Sequence, residues 1–442
     1  MSHKLTVFGT GYLGATHAVC MAELGYDVLG IDVDEAKVGK LTAGEVPFYE
    51  PGLEPLLRKN IESGRLRFTT SYQEAAAFGD VHFVCVGTPQ RDDSLAADMR
   101  FVDSVIDNLG PHLTGSALVV GKSTVPVGTA ERLAARLAEI TPPGADVELA
   151  WNPEFLREGF AIEDTLTPDR LVFGVQPGGR AEGVLRDVFA PIIGIPTPVV
   201  VTDLPTAQLV KVAANAFLAT KISFINAMAE VCETVNADVK KLSESLSYDT
   251  RIGGRFLHAG LGFGGGCLPK DIRAFMARAE ELGVESALSF LREIDAINLR
   301  RRQRMVDLAL EHSGGSFTGK RVGVLGAAFK PNSDDIRDSP ALEVASTIQG
   351  LGATVTVYDP QANDNARAKH PQLGYADSAV EAVRGAHVVL HLTEWREFRD
   401  MDPAVLSDVV AEKQIVDGRN ALDPELWIAA GWHYRALGRP YR

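Results

Sequence analysis

The sequence predicts an α/β protein with two Rossmann-like, doubly wound domains joined by a long central helix and a helical middle domain. Short apolar runs alternate with helix-like segments in residues 1–200, and the same alternation returns in residues 313–442. The part between them contains AQLVKVAANAFLATKISFINAMAEVCETV, which has neither Gly nor Pro. Apolar strands separated by helices are typical of parallel sheets covered on both faces. We therefore expect three domains, over residues 1–200, 201–312 and 313–442.

The composition restricts the possible partners. The chain has 442 residues, 45% of them hydrophobic and 23% charged, and a formal net charge of −14. These values are typical of a soluble protein with several domains, and the acidic balance argues against nucleic acid as a partner. No apolar run has membrane-spanning length, and MSHK leads directly into a strand-like LTVFG. We therefore expect no membrane segment, no signal peptide and a cytoplasmic location.

The four cysteines are compatible with a reducing compartment. Cys20, Cys85 and Cys232 stand in apolar segments and are predicted to be core residues. No C-x-x-C pair and no histidine spacing suggests a metal site. His258, in a glycine-rich segment, is interpreted as a surface loop residue.

The first strand leads into a glycine-rich turn. In KLTVFGTGYLG, glycines stand at positions 9, 11 and 14, a helical pattern follows, and the next strand (DVLGID) ends at Asp32. This order is the dinucleotide-binding fingerprint, in which pyrophosphate meets the helix N-terminus and the acid binds the ribose hydroxyls. An acid at this position would repel the additional phosphate of NADP, and no arginine follows it. The first domain is therefore predicted to bind NAD.

Further strands are predicted at α/β spacing, and polar residues stand at their ends. The strands are DVHFVCVGTP (80–89), SALVVGKST (116–124), VELAWNPEF (147–155) and RLVFGV (170–175). Thr88, Thr124 and Glu154 stand at the carboxyl ends of three of these segments, where α/β sheets bind ligands.

The second half repeats the pattern without a clean G-x-G-x-x-G. KRVGVLGAAFK (320–330) is a strand entering a turn, TVTVYDP ends at Asp359, and AHVVLHLTEW and QIVDGRN supply two more strands. We therefore expect this half to bind something other than NAD. The apolar central helix is expected to be buried between the halves and to be available as a subunit interface.

Cys267 is the most distinctive residue of the chain. It lies in GFGGGCLPKD, after a run of glycines and before Pro269 and an amphipathic segment. Proline is favoured at the start of a helix, so Cys267 is expected just ahead of a helix N-terminus. The helix dipole there would lower the pKa of its thiol.

Polar pairs four residues apart accompany this cysteine. They are Lys211 with Asn215 on the central helix, Glu154 with Glu158, and Cys267 with Asp271. Each pair can be read as a solvated helix face or as the lining of a site. A nucleophile, an ammonium group, an amide and carboxylates beside a nicotinamide would suffice for covalent redox chemistry.

The order of motifs resembles one enzyme family over nearly the full length. VFGTGYLG, FYEPGLEPLL, VCVGTP, KSTVPVGT, NPEFLREG, LVKVAANAFLATKISFINAMAE, GGRFLHAGLGFGGGCLPKD and VLGAAFKPNSDDIRDSPAL follow one another as in UDP-glucose 6-dehydrogenases of the UDP-glucose/GDP-mannose dehydrogenase family. The resemblance implies a four-electron oxidation of a sugar nucleotide's C6 alcohol with two NAD. It makes Cys267 the nucleophile of a thiohemiacetal and then a thioester.

The resemblance also assigns the remaining site residues. Lys211 would stabilise charge on the C6 oxygen with Asn215 as its hydrogen-bonding partner, Asp271 and Thr124 would position or activate water, and Glu154 would serve proton transfer or hydrolysis. For NAD the matching residues are Gly9, Gly11, Tyr12, Leu13, Gly14, Asp32, Lys37, Thr88, Thr124, Glu158, Lys270 and Arg337. For the sugar nucleotide they are Glu154, Phe155, Leu156, Arg157, Glu158, Lys211, Asn215, Arg255, Phe256, Leu257, His258, Ala259, Gly260, Gly264 and Lys330.

Two further implications concern assembly and a departure from the family. Arg255 matches an arginine that reaches the substrate of a neighbouring subunit, which implies a homodimer. Gly266 stands where many relatives have serine, so one hydroxyl beside the nucleophile is missing.

Three alternatives remain at this point. UDP-N-acetyl-mannosamine and GDP-mannose dehydrogenases share the catalytic core. A two-electron hydroxyacid dehydrogenase also joins a Rossmann domain to a long helix, but leaves Cys267 and the second α/β half without a role. A non-catalytic NAD-binding protein would leave the polar pairs unexplained.

Overall fold

The computed structural model describes residues 3–440, which form two compact units. Unit 1 comprises residues up to 214 together with 273–282, and unit 2 comprises 215–272 together with the residues from 283 onward. This division into units rests on compactness alone. The three domains expected from the sequence therefore stay a prediction.

Unit 1 is built on an eight-stranded sheet with the order β3-β2-β1-β4-β5-β6-β7-β8. All neighbouring strands are parallel except β6 and β7, which are antiparallel. The strands are β1 (Lys4–Phe8), β2 (Asp27–Ile31), β3 (Leu66–Thr69), β4 (Val81–Val84), β5 (Ser116–Gly121), β6 (Asp146–Trp151), β7 (Leu171–Gly174) and β8 (Val199–Thr202).

Unit 2 has a six-stranded, fully parallel sheet with the order β11-β10-β9-β12-β13-β14. Its strands are β9 (Arg321–Leu325), β10 (Thr354–Tyr358), β11 (Gly374–Tyr375), β12 (Val388–His391), β13 (Gln414–Asp417) and β14 (His433–Ala436). In both sheets the chain starts in the middle, runs to one edge and then returns to the other side, which is the doubly wound arrangement.

Helices connect the strands. They are α1 (Tyr12–Glu23), α2 (Glu35–Thr42), α3 (Leu53–Glu62), α4 (Tyr72–Phe78), α5 (Arg100–Leu109), α6 (Thr129–Ile140), α7 (Ala161–Leu166), α8 (Ala181–Val188), α9 (Ala190–Ile193), α10 (Leu204–Val235), α11 (Val239–Ser247), α12 (Leu268–Glu281), α13 (Ser289–His312), α14 (Pro340–Gly350), α15 (Asn363–Lys369), α16 (Ala379–Ala382), α17 (Arg396–Arg399), α18 (Pro403–Ser407) and α19 (Pro424–Ala429). Two of the three unit boundaries fall within α10 and α12, and the third lies between Leu282 and Gly283, after α12.

The central strands are mostly apolar because they are buried on both faces of the sheets. On β5, Leu118 and Val120 pack on one side with residues of α1 and α3, whereas Val119 packs on the other side with residues of α5 and α6. Successive side chains of a strand point to opposite faces, so such a strand needs apolar residues throughout. The predicted fold class is therefore confirmed.

Strand bounds differ from the predictions at the ligand-facing ends. The segment predicted as 80–89 is a strand only over Val81–Val84, and the one predicted as 147–155 ends at Trp151. Thr88, Thr124 and Glu154 consequently lie in loops after the strands and not within them. The edge strands β3, β8, β11 and β14 did not stand out in the sequence.

The central helix α10 requires a correction. It has 32 residues, and an 18-residue stretch of it has a mean hydropathy of 1.3 and is 44% buried. By length and composition alone, this helix could cross a membrane. The expectation that no apolar segment is long enough is therefore wrong, although core helices of other proteins meet the same criterion. The Ser223 hydroxyl donates to Ile294 O at 2.9 Å, and Asn226 Oδ1 accepts from Gly260 N at 2.9 Å. Such bonds are typical of a helix packed within protein.

Candidate active site

The glycine turn of unit 1 has the geometry of a dinucleotide site. Gly9 has a φ of +85°, and a Cβ there would come within 2.8 Å of the Val86 backbone. A Cβ on Gly14 would overlap the Gly9 carbonyl oxygen. Gly11 directly precedes α1 and supplies no side-chain cap, and it faces open space, since a Cβ added there would meet nothing within 4 Å. Uncapped amides beside open space fit the pyrophosphate of NAD.

Asp32 lies where the ribose of such a ligand is expected. It follows β2, and its Oδ2 accepts from Thr10 N at 2.8 Å and from Lys37 Nζ at 2.8 Å. Burial opposes ionisation of Asp32, but these bonds outweigh it and hold the pKa of this carboxyl below its usual value. The carboxylate is therefore ionised at neutral pH and disfavours a 2′-phosphate.

The ends of neighbouring strands in unit 1 are joined by buried polar side chains. The Thr88 hydroxyl donates to Thr124 O at 2.7 Å, which joins the loops after β4 and β5. Lys122 is buried and donates to Asn152 Oδ1 at 2.8 Å, and burial lowers its pKa. These contacts hold the segment that leads into Glu154.

Glu154 and Lys211 form a buried ion pair with an Oε1–Nζ distance of 2.9 Å. The Lys211 ammonium also lies 5.6 Å from the centre of the Phe155 ring. Glu154 Oε2 accepts from Leu156 N at 2.8 Å, which fixes the direction of the carboxylate. A cation and a carboxylate in direct contact can exchange a proton or stabilise an oxyanion.

Of the two readings of Glu154 and Glu158, a solvated helix face is excluded, and the lining of a site stays a prediction. Residues 152–156 are in no helix, because α7 begins only at Ala161. Arg157, predicted to bind substrate, makes a two-pronged ion pair with Asp164 and is half exposed.

Cys267 lies directly before α12 in unit 2, as predicted from the sequence. Leu268 is the first helical residue and Pro269 the second, and Asp271 N donates to Cys267 O at 3.0 Å. The thiol is exposed, whereas the other three cysteines are buried. Burial raises the pKa of Cys85 to about 12, which keeps that thiol protonated.

Asn215 and Asp271 are in direct contact within unit 2. Asn215 Nδ2 donates to Asp271 Oδ2 at 2.6 Å, and Lys270 Nζ lies 2.6 Å from Asp271 Oδ1. Both carboxylate oxygens are therefore bound, and Asp271 is held one helical turn after Cys267.

The glycines before Cys267 are required by close packing. A Cβ on Gly264 would overlap Asp338 O, and one on Gly265 would lie 2.7 Å from the Phe329 ring. At Gly266 a Cβ would overlap the guanidinium of Arg337, which is paired with Asp335. The loop after β9 thus lies directly on the glycine run.

Side-chain amides of α10 and α13 hold the glycine-rich loop. Asn298 Oδ1 accepts from Phe263 N at 2.7 Å and its Nδ2 donates to Phe263 O at 2.9 Å. Asn226 accepts from Gly260 N. Because the partners lie 35 and 34 residues apart, no local pattern indicates these contacts.

Arg419 and Asn420 hold the same loop from the end of β13. Arg419 donates to Gly262 O at 3.1 Å and to Phe329 O at 2.9 Å, and Asn420 donates to Ala259 O at 3.1 Å. The sequence QIVDGRN predicts only a strand, so it does not indicate these hydrogen bonds.

Asp359 follows β10 in unit 2 as Asp32 follows β2 in unit 1. Its Oδ2 accepts from Ala327 N, Ala328 N and Trp395 Nε1 at 2.7, 2.9 and 3.0 Å. Its Oδ1 accepts hydrogen bonds from the backbone amides of Gln361 and Ala362 in the turn that follows. The Asp359 carboxylate therefore joins the segments that follow β9 and β12.

The other predicted residues have distinct positions. Phe256 has a φ of +65°, Leu257 and Ala259 are buried, and Arg255 and His258 are exposed. The six predicted catalytic residues divide equally between the units: Thr124, Glu154 and Lys211 in unit 1, and Asn215, Cys267 and Asp271 in unit 2. Within residues 3–440, no group of three or more His, Cys, Asp or Glu side chains could hold a metal ion.

Comparison with known proteins covers both units. Residues 3–193, 205–300 and 323–424 match the NAD binding, central and UDP binding domains of the UDP-glucose/GDP-mannose dehydrogenase family. The chain is 42% identical to a UDP-glucose 6-dehydrogenase of Rhizobium meliloti, over 99% of this chain and 100% of that one.

Solved structures are similar over the same extent. A UDP-glucose dehydrogenase of Pyrobaculum islandicum has a TM-score of 0.90 and 39% identity over 99% of this chain and 98% of that one. A UDP-D-ManNAc dehydrogenase of Pyrococcus horikoshii has a TM-score of 0.85 and 27% identity over 99% of both chains. The glycine turn with Asp32 is thus part of an NAD-binding domain, and the chain belongs to the UDP-glucose/GDP-mannose dehydrogenase family.

Proposed function

We propose that this protein oxidises UDP-glucose to UDP-glucuronate with two NAD per turnover. The observation that carries the proposal is the exposed thiol of Cys267 at the start of α12, in a chain that matches UDP-glucose 6-dehydrogenases over its full length. Its identity to a UDP-D-ManNAc dehydrogenase is lower, which favours glucose as the sugar.

The proposed chemistry assigns a step to each catalytic side chain. NAD, when bound, accepts one hydride from C6 in each of the two oxidations. The Cys267 thiolate adds to the C6 aldehyde to give a thiohemiacetal, and loss of hydride converts it into a thioester. Water cleaves the thioester, which releases the carboxylate and restores the thiol. Lys211 stabilises the negative charge on the C6 oxygen, and Glu154, in contact with it, takes up or returns the proton.

The amide and carboxylate of unit 2 serve the hydrolytic half of the reaction. Asn215 orients Asp271, and Asp271, with Thr124, positions the attacking water. The covalent link retains the aldehyde between the two oxidations. The remaining predicted contacts to NAD and to the sugar nucleotide are part of this proposal.

Stoichiometry tests the proposed function. The purified protein with limiting UDP-glucose and excess NAD should form two NADH per sugar, measured by absorbance, with UDP-glucuronate identified by mass spectrometry. UDP-N-acetyl-mannosamine and GDP-mannose under the same conditions serve as controls. One NADH per UDP-glucose, or faster oxidation of either control sugar, would contradict the proposal.

A homodimer formed through α10 is also part of the proposal. Phe217, Phe224 and Val231 are 67%, 47% and 53% exposed, and their spacing of seven residues puts them on one helix face. A second copy of the chain offers the same stripe, so two such helices can cover each other's apolar residues. The exposed Arg255 would then be available to the neighbouring subunit.

Charge on this stripe is expected to separate the subunits. Phe217→Glu with Phe224→Glu should give a monomer in sedimentation velocity, because burying carboxylates in an apolar interface is costly. Leu351→Glu, an equally apolar exposed position on unit 2 outside α10, is the control and should remain a dimer. A monomeric unaltered protein, or a dimer that survives both charges, would count against this interface. A cytoplasmic location is proposed because, within residues 3–440, none of the four cysteines forms a disulfide.

A further inference from the structure

Glu50, in the motif FYEPGL, is buried but has no role in the chemistry described above. It is 7% exposed and precedes α3. Its Oε2 accepts from Gly159 N at 2.6 Å and its Oε1 accepts from Ala161 N at 2.8 Å. The carboxylate thus binds two amides at the start of α7, where no side chain of the local sequence provides a cap.

The same carboxylate is bound to the dinucleotide turn. The hydroxyl of Tyr12, the first residue of α1, donates to Glu50 Oε2 and accepts from Gly159 N at 2.8 Å. Burial, the bond to Glu50 and the charge of nearby Glu158 raise the pKa of Tyr12, so the hydroxyl keeps its proton. Glu50 therefore remains the acceptor in this network.

Three segments far apart in sequence meet at this carboxylate. Tyr12 follows Gly11 of the uncapped turn, and Gly159 follows Glu158 directly. Each oxygen of Glu50 has its own backbone partner, so an amide side chain cannot replace it. Glutamine has one acceptor oxygen, and its NH₂ group would face one of the two N–H groups.

We infer that Glu50 is a positioning residue for NAD, which holds the glycine turn and the Glu158 segment in fixed relation before the dinucleotide binds. A site arranged in advance loses less conformational freedom on binding. The inference rests on the proposed assignment of Glu158 to the NAD site.

Binding of NAD and of UDP to the full-length protein, measured separately by calorimetry, tests this inference. Glu50→Gln and Tyr12→Phe should each raise the Kd for NAD by about tenfold, the usual effect of losing a hydrogen bond to a charged group. Hydrogen exchange at the Gly159 and Ala161 amides should become faster, and the Kd for UDP should not change. Glu54→Gln makes the same chemical change at an exposed residue paired with Arg58, and should behave as the unaltered protein.

Each other outcome has a defined meaning. Faster exchange with an unchanged Kd for NAD would overturn the inference. Loss of both affinities together with a lower Tm would show that Glu50 only stabilises the fold, which also overturns it. If Glu50→Gln does not fold, Tyr12→Phe, which removes one hydroxyl, decides by the same criteria. If the unaltered protein forms no NADH from UDP-glucose, the proposed function fails while the comparison of NAD affinities still applies.

Discussion

Cys267→Ala is expected to reduce UDP-glucuronate formation from UDP-glucose by about 10⁴-fold or more, as in enzymes that lose their nucleophile. Without the thiol, no thiohemiacetal forms, so the second hydride transfer has no covalent substrate. The steady-state rate with excess NAD is the measurement, and the Kd for NAD should be unchanged because the dinucleotide turn belongs to unit 1. Cys232→Ala, at a buried thiol, is the control.

Unchanged turnover in Cys267→Ala would refute the covalent mechanism and favour two-electron hydroxyacid chemistry, which requires no cysteine. Alkylation supplies a second measurement on the same residue. Since Cys267 directly precedes α12, the helix N-terminus should stabilise its thiolate and move the midpoint of the alkylation profile below about 8.5, the pKa of a free cysteine. A midpoint at or above that value would argue against activation by the helix.

The sequence could predict those features of the candidate site that depend on residues close to one another along the chain. Gly9, Gly11, Gly14 and Asp32 belong to one strand–turn–helix–strand unit, in which each residue's task depends on near neighbours. The position of Cys267 before a helix could likewise be predicted, because Pro269 and the amphipathic pattern follow at once. Local sequence determines these features, so they could be read without any tertiary contact.

The supporting residues could not be predicted because their partners are remote in sequence. Glu50 meets Gly159 across 109 residues, and Arg419 meets Gly262 across 157. The spacing of Glu154 and Glu158 left a helix face and a site open, and the segment that carries Glu154 is in no helix. A spacing pattern predicts a shared face only where the backbone is helical.

Close packing gives a physical reason for glycine at position 266. Its missing side chain leaves the space that the Arg337 guanidinium occupies, next to the nucleophile. A serine there would require Arg337 to move, so the glycine and the position of this arginine belong together. From the sequence, the resemblance implied only that a hydroxyl is missing at position 266. In the structure, the Arg337 guanidinium fills the space that a side chain at this position would need.

Lys211→Met is expected to reduce kcat by about 10²- to 10³-fold, the usual effect of removing a group that stabilises an oxyanion. The Lys211 and Glu154 side chains are only 6% and 12% exposed, so the substitution also leaves a buried carboxylate without its cation. Breaking such a pair costs about 3–5 kcal/mol of unfolding free energy. Steady-state kinetics and urea unfolding measure the two effects, and Lys241→Met, at an exposed pair with Glu244, is the control.

A double variant separates the electrostatic role of Lys211 in catalysis from its role in stability. Lys211→Met with Glu154→Gln removes both charges, so no unpaired ion remains buried and most of the lost stability should return. The rate should stay low, because neither a cation nor a carboxylate is then available to the C6 oxygen. If the double variant regained activity together with stability, the pair would be structural and another cation would have to stabilise the oxyanion. Recovered stability without recovered rate would show that the Lys211–Glu154 pair serves the reaction and does not only stabilise the fold.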